Sequence, residues 1–407
     1  MQQTWLFTNE EKKVAPHYHN RTPTDPSLVT SATILDEMNL NWSEKDLPER
    51  ERTKHVHRLH PYLGKFIPQI VEIFLRKYFK SGQTVYDPFA GSGTTLVEAN
   101  VLNINAIGCD IAAFNCLFSR VKTADYDTAL IRREVSDILL KLQERTQLTI
   151  FGGRSGHHEV RDTDNDYLLK WFAPQARKEL LIYRSLIPDY RYQELLKVIL
   201  SRAARSARLT THFDLDFPKK PQTEPYYCYK HSRVCHPVQE AFKFLRRYSI
   251  DTIRRIEEYR KLRTKADVTV LHGDARNVPL PSDIDGVITS PPYLGLIDYH
   301  EQHRYAYELL GLPMNNEGEI GAAFKGTSKK AREAYQLEIA SAFAHTAKYI
   351  HTGKRMVIIV ADRHRLYGDI AAQCAFEVED VLRRHVNRRT GRRATQFFEE
   401  VLIWRKK

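Results

Sequence analysis

A chain of 407 residues with 42% hydrophobic and 28% charged residues can build one large or two modest cores, which excludes disordered and fibrous classes. No apolar run is long enough to span a bilayer, and Met1-Gln2-Gln3 opens no signal peptide; five scattered cysteines argue for a reducing cytoplasm rather than a disulfide framework. The net charge of +12 leans toward a polyanionic partner, because lysine and arginine gain affinity by releasing counterions from phosphates.

Residues 1–54 are polar, with short apolar pieces between Pro, Thr, Asn and Asp, and read as an arm or covering layer. His55, His57 and His60 follow closely, but no second cluster completes a tetrahedral set, so no metal is expected there. A helix is expected over Gln69–Phe79. Its N-terminus and Lys65 together favour an anion. Thr84–Tyr86 reads as a strand, Gly91-Ser92-Gly93 as a tight turn and Thr94–Leu102 as a helix. Such a unit begins a doubly wound sheet, whose ligands bind at the carboxyl ends of the strands. The glycines let backbone approach a ligand with no Cβ in the way. Asn105–Asp110 is a second strand ending in an acid, which can accept both ribose hydroxyls or stand as a solvated strand end. Turn and acid together point to a nucleoside cofactor.

Residues 120–265 interrupt this pattern and read as a largely helical insert, with helices over Tyr167–Leu186, Tyr192–Ser206 and Phe242–Arg263 and a loop over Phe213–Tyr229. Arginines interleave with aromatics, including Arg202, Arg205 and Arg208. That suits phosphates and bases, although basic helices are often only solvated faces. Cys228, His231, Cys235 and His236 could in principle hold zinc. The adjacent Cys235-His236 pair is poor tetrahedral spacing, and no metal is expected.

Asp267–His272 resumes the sheet and runs into Gly273-Asp274-Ala275. Gly286–Thr289 is a buried strand, stopped by Ser290-Pro291-Pro292-Tyr293. Proline cannot donate to a ladder and forces its predecessor out of the helical region, so the chain leaves the sheet in a stiff turn. The turn is either a plain strand ending or a rigid carbonyl acceptor beside a stacking ring, suited to a flat, amino-bearing ligand. Beyond it come a polar aromatic segment (Gly295–Leu310), a helix (Ala331–Tyr349), a buried strand (Met356–Val360), a helix (Asp369–Arg384) and an alternating strand (Gln396–Trp404). The link Arg383–Arg393 is dense in arginine and could follow a phosphate backbone.

Asp87-Pro88-Phe89-Ala90-Gly91-Ser92-Gly93-Thr94-Thr95 together with Ser290-Pro291-Pro292-Tyr293 resembles the S-adenosylmethionine-dependent DNA amino-methyltransferases, the Ser-Pro-Pro-Tyr form being typical of the cytosine-N4 branch. The resemblance covers residues 55–120 and 266–405. It implies an α/β, Rossmann-like sheet, mostly parallel with a late antiparallel strand at Gln396–Trp404. The cofactor-binding half would be 55–119, the target-recognition insert 120–265 and the catalytic half 266–407. For S-adenosyl-L-methionine it implies Tyr62, Lys65 and Phe66 around the methionine carboxylate, and the turn Asp87, Phe89, Ala90, Gly91, Ser92, Gly93, Thr94 and Thr95. Asp110 with Ile111 would take the ribose, and Asp274 with Ala275 the adenine. The catalytic turn would be Ser290, Pro291, Pro292 and Tyr293. Implied partners are double-stranded DNA and a possible cognate restriction endonuclease, with no membrane.

An exocyclic amine on a base is a poor nucleophile, because its lone pair is delocalised into the ring. Acceptors aimed at its hydrogens, such as the Ser290 hydroxyl and the Pro291 carbonyl, would favour the pyramidal geometry of the transition state. Adenine-N6 methylation shares this chemistry. RNA guanine-N2 methylation and a catalytically silent nucleic-acid-binding module are the further alternatives.

Overall fold

The computed structural model describes residues 21–150, 162–386 and 397–407. Its strands are β1 (Thr84–Asp87), β2 (Asn105–Asp110), β3 (Tyr226–Cys228), β4 (Arg233–Cys235), β5 (Val268–His272), β6 (Ile284–Thr289), β7 (Ile350–Val360), β8 (Phe376–His385) and β9 (Phe398–Lys406). Its helices are α1 (Glu49–Arg52), α2 (Pro68–Tyr78), α3 (Thr94–Val101), α4 (Ala113–Thr123), α5 (Thr128–Ile150), α6 (Asp166–Trp171) and α7 (Pro174–Leu186). They continue with α8 (Gln193–Ala207), α9 (Phe242–Arg260), α10 (Tyr299–Gln302), α11 (Arg304–Leu310), α12 (Lys329–Thr346) and α13 (Tyr367–Gln373).

Seven strands form one sheet in the order β5-β2-β1-β6-β7-β9-β8. All neighbours are parallel except β9, which runs antiparallel to both β7 and β8. The chain moves outward from β1 through β2 to β5, then crosses back to lay β6 against the other side of β1. The order reverses between β1 and β6, and that is where an open α/β sheet makes its ligand crevice.

Alternation along the strands divides the core between the two faces of the sheet. Val85, Ala106, Ile288 and Val357 face α2 and α3, together with Val29, Met38 and Leu40 from the N-terminal segment. Tyr86, Ile107, Val287 and Ile358 face α12 and α13. With both faces covered, β1, β2, β6 and the second half of β7 read as apolar runs, which is why they are easy to see in the sequence.

A separate helical core joins α4 to α5–α9 and α11. The expected helix Tyr167–Leu186 is two helices, since Pro174 has no N–H to donate and starts α7 at its first turn. The loop expected over Phe213–Tyr229 ends in β3, which pairs with β4 in a two-stranded hairpin.

Two expectations need correction. The helix expected over Asp369–Arg384 stops at Gln373, turns through Ala375 at φ +59° and becomes the edge strand β8. Val378, Val381, Leu382 and His385 imitate a helical repeat because a register shift between Val378 and Asp380 breaks the strand's alternation. The arginines of α8 are not a phosphate-facing row. Arg208 is buried, its guanidinium donating to the Leu215 carbonyl and stacked 4.4 Å over Tyr305. Arg202 pairs with Asp251 at 2.8 Å, and Arg205 with Asp216 at 2.5 Å. Most of the arginine-rich link, residues 387–393, lies outside the described residues.

Candidate functional site

Two loops meet where the strand order reverses. The first leaves β1 at Asp87, whose buried carboxylate accepts from Thr289 Oγ1 (2.7 Å), Thr95 Oγ1 (2.7 Å) and the Phe89 N–H (3.1 Å). Asp87 thus braces the loop against the end of β6. Burial outweighs these donors and pushes its pKa up to about 6. Gly91 and Gly93 turn the chain at φ +50° and +70°, where a side chain is strained. A Cβ on Gly93 would also meet Ser119 Oγ at 2.7 Å.

Asp110, at the end of β2, ties the turn to its neighbouring strand. It accepts from the N–H groups of Gly91 (2.8 Å) and Ala112 (2.8 Å) and from Asn115 Nδ2 (3.1 Å), and burial raises its pKa. Asn115 also donates to Tyr62 Oη at 3.1 Å, which fixes that ring in the wall. Lys65 Nζ donates to the His57 carbonyl at 2.9 Å, and burial lowers its pKa to about 8. Asp274 is held by Arg276, with Nε 2.9 Å and Nη2 2.6 Å from its oxygens.

These elements enclose a cleft at the carboxyl ends of β1, β2 and β6. Of the residues singled out for cofactor contact, Tyr62, Lys65, Phe66, Phe89, Ala90, Gly91, Ser92, Thr94, Asp110, Ile111, Asp274 and Ala275 line it, while Asp87, Gly93 and Thr95 stand behind the wall. Pro88 of the glycine-turn motif and Tyr299 line it as well, as do Gly64, Ala112, Asn115, Gly318, Glu319 and Ile320, which were not singled out for it. Tyr299 belongs to the polar aromatic segment that follows the proline turn. Gly318–Ile320 carries no motif; Glu319 holds that segment by accepting from the N–H groups of Tyr299 (3.1 Å) and His300 (2.7 Å).

The second loop is the proline turn after β6. Ser290 and Pro292 line the same cleft, and the buried Ser290 hydroxyl makes no well-formed hydrogen bond among the described residues, only a weak interaction with the Tyr293 phenol. Tyr335 Oη donates to the Pro292 carbonyl at 2.9 Å. Tyr293 lines a neighbouring cleft instead, among Leu294, Asp362, Tyr367 and Phe397. Its hydroxyl donates to Glu399 Oε1 at 2.9 Å, and Glu399 is in turn paired with Arg384 at 2.6 Å. Burial raises the pKa of this phenol, so it stays protonated. Pro291 is buried and lines neither cleft. The turn therefore borders both clefts, with Ser290 and Pro292 on the first and Tyr293 on the second.

Comparison with known proteins decides the class. Residues 4–118 match the family described as DNA methylase. The chain is 38% identical to the type II methyltransferase M.MjaII of Methanocaldococcus jannaschii, over 87% of this chain and 81% of that protein. The chain belongs to the DNA amino-methyltransferase family. It is also 24% identical to the type II methyltransferases M.MvaI of Kocuria varians (65% of this chain, 59% of that protein) and M.BsoBI of Geobacillus stearothermophilus (74% and 58%).

The methyl donor of this DNA methyltransferase is S-adenosylmethionine, and the larger-bodied lining of the first cleft fits it chemically. Aromatic and aliphatic walls suit a flat ring, the Asp110 carboxylate suits hydroxyls, and Lys65 suits a carboxylate. Beneath the glycine turn, Glu98 accepts from His57 Nε2 and Lys54 Nζ, both at 2.8 Å. Lys54 already supplies the cation that His55, His57 and Glu98 could otherwise seek, while His60 points to Ser201 at 3.0 Å. Among the described residues, no helix is long and apolar enough to cross a membrane.

Proposed function

We propose that this enzyme methylates the N4 amine of cytosine in duplex DNA, as the modification half of a restriction–modification system. The carrying observation is the Ser290–Tyr293 turn bordering two clefts, with the buried Ser290 hydroxyl on the cofactor cleft and free of any well-formed hydrogen bond among the described residues. Tyr62, Lys65, Phe66, the Phe89–Thr94 turn, Asp110 and Asp274 would hold S-adenosylmethionine, which supplies an electrophilic methyl group. The target base, flipped from the duplex at a cost of a few kcal/mol, would enter beside Tyr293 and recover part of that cost by stacking. Ser290 Oγ then accepts one hydrogen of the amine and helps turn its lone pair toward the methyl. Asp87 keeps both loops in register by bonding across β1 and β6. Serine rather than an acid at the head of the turn favours cytosine over adenine. Exposed Lys243, Arg246 and Arg247 on α9 offer cations to the phosphates.

Digestion and mass spectrometry of DNA from cells expressing the protein should reveal N4-methylcytosine. N6-methyladenine alone would replace the base assignment and leave the cofactor assignment intact. A type II system would also place a cognate nuclease beside it, blocked by the same methylated site.

A further inference from the structure

Among the described residues between 211 and 240, Cys228 and Cys235 are the only buried ones. They lie on β3 and β4, a hairpin that has almost no apolar interior. Phe213, Tyr227, Tyr229 and Val234 are each more than half exposed. A lone two-stranded hairpin is marginal in water, and segments this small usually depend on a disulfide or a metal. Both cysteines are free thiols.

The two sulfurs converge with two imidazoles. Cys228 Sγ lies 3.5 Å from His212 Nδ1 and 3.7 Å from His231 Nδ1, and Cys235 Sγ lies 3.5 Å from His231 Nδ1. All four ligand atoms fall within 4.8 Å of one another. We propose that His212, Cys228, His231 and Cys235 form a tetrahedral Cys2His2 zinc site that holds this hairpin in shape. With zinc–sulfur bonds of about 2.3 Å and zinc–nitrogen bonds of about 2.0–2.1 Å, the sulfur–nitrogen edges of a tetrahedron are about 3.6 Å long. The observed separations already have that length.

The fourth ligand explains why the sequence pattern looked defective. His236, next to Cys235, is not in the cluster. His212 replaces it from the strand-leading loop on the other side of the hairpin. Cys228 and His231 come from one tight turn, in which the His231 N–H donates to the Cys228 carbonyl at 3.0 Å. Tyr226 Oη sits 2.8 Å from His212 Nδ1 and accepts from the His212 N–H at 3.1 Å. Metal loading exchanges the hydroxyl's bond to Nδ1 for a zinc–nitrogen bond and leaves the second bond in place. Two thiols lose their protons to solvent, so two thiolates, two neutral imidazoles and Zn²⁺ make a neutral centre. Soft sulfur donors with imidazole favour zinc over magnesium or calcium.

The base of the lobe needs no metal. Arg205 binds Asp216, Arg208 binds the Leu215 carbonyl, and the Gln222 N–H donates to the Leu209 carbonyl at 2.8 Å. The metal orders what lies beyond, including the exposed tip at Tyr229 and Lys230.

The test is zinc content of the full-length, reduced chain by plasma mass spectrometry, with cobalt substitution as a spectroscopic check. One zinc per chain is expected, and Co²⁺ should give the intense visible bands of a tetrahedral thiolate site. Cys228→Ser, Cys235→Ser and His212→Asn should lose the metal, while His236→Asn keeps it. His212→Cys should retain it as a Cys3His site, which separates lost ligation from misfolding. Chelation should speed proteolysis within 211–240 and leave S-adenosylmethionine affinity unchanged. Absence of zinc together with absence of cobalt bands overturns the proposal. So does a Cys228–Cys235 disulfide whose reduction yields a chain that binds neither ion.

Discussion

The crevice at the strand reversal and helix α8 of the insert differ in where their charged and polar side chains lead. Around the crevice, Ser290 keeps a buried hydroxyl without a well-formed hydrogen bond, and Asp110 and Lys65 reach the lining. On α8 and at its C-terminal end, the charges that look available are already used. Arg202 lies over Tyr248 at 4.2 Å and is paired with Asp251, and Arg208 is 2% exposed. An unsatisfied buried polar atom is costly, but it points to a ligand only where it borders a cleft, as at Ser290, since Tyr183, Ser249 and Thr252 in the insert lack a well-formed hydrogen bond as well. Residue type and charge density alone do not distinguish a grip from a brace.

The largest expected effect tests the unsatisfied side of that contrast. Ser290→Ala should cut single-turnover methylation about a hundredfold at saturating cofactor and DNA, since one lost transition-state hydrogen bond costs roughly 2.7–4 kcal/mol. Cofactor affinity, by calorimetry, should change little. A near-normal rate would mean that the hydroxyl has no part in the chemistry and that the turn is only a strand ending.

The satisfied side is tested by contrasting two arginines. Arg202→Ala leaves Asp251 with Arg254 (2.8 Å) and Arg255 (3.5 Å) and should lower stability to urea by well under the roughly 3–5 kcal/mol of a fully buried pair, since the two side chains are also 11% and 19% exposed. The salt dependence of DNA binding should not move. Arg247→Ala should do the reverse: stability stays within about 0.5 kcal/mol of the parent, while the slope of log affinity against log salt becomes shallower by about 0.9 for the lost phosphate contact. If Arg202→Ala also flattens that slope without loss of stability, α8 does face DNA.

The sheet was largely legible because its strands are buried on both faces and its loops carry short-range signals. Thr84–Asp87, Asn105–Asp110 and the proline stop after Thr289 depend on neighbours within a few positions. What failed depends on distant partners. Val378–His385 looks helical until β9 is laid beside it. The arginines of α8 look solvated until Tyr305, Tyr248 and Asp251 arrive from other helices. His212 has no motif linking it to Cys228, sixteen positions away, and only the hairpin brings them together. Gly318–Ile320 reaches the cleft through Glu319, whose hydrogen bonds to Tyr299 and His300 leave no trace in spacing.

The smallest effect sharpens the assignment of Lys65. Burial lowers its pKa from the ordinary 10.5 to about 8, so the free enzyme loses this charge at the alkaline edge of the working range. A bound carboxylate stabilises the charged form and raises that pKa again. Cofactor affinity should therefore be full below about pH 8 and decline as pH rises through the free-enzyme value, levelling off above the bound-state value. A cation supporting an anion near a helix start contributes about 1–2 kcal/mol when partly buried, or about 5–30-fold in affinity. The cofactor's own α-amino group titrates near pH 7.7–8.0, about the same place, so the wild-type curve alone is ambiguous. Lys65→Met removes one titration and keeps the other. The difference between the two curves should be largest below pH 8 and shrink above it, because the wild type then approaches the uncharged variant. Parallel curves at every pH would show that Lys65 serves the His57 carbonyl and not the methionine carboxylate.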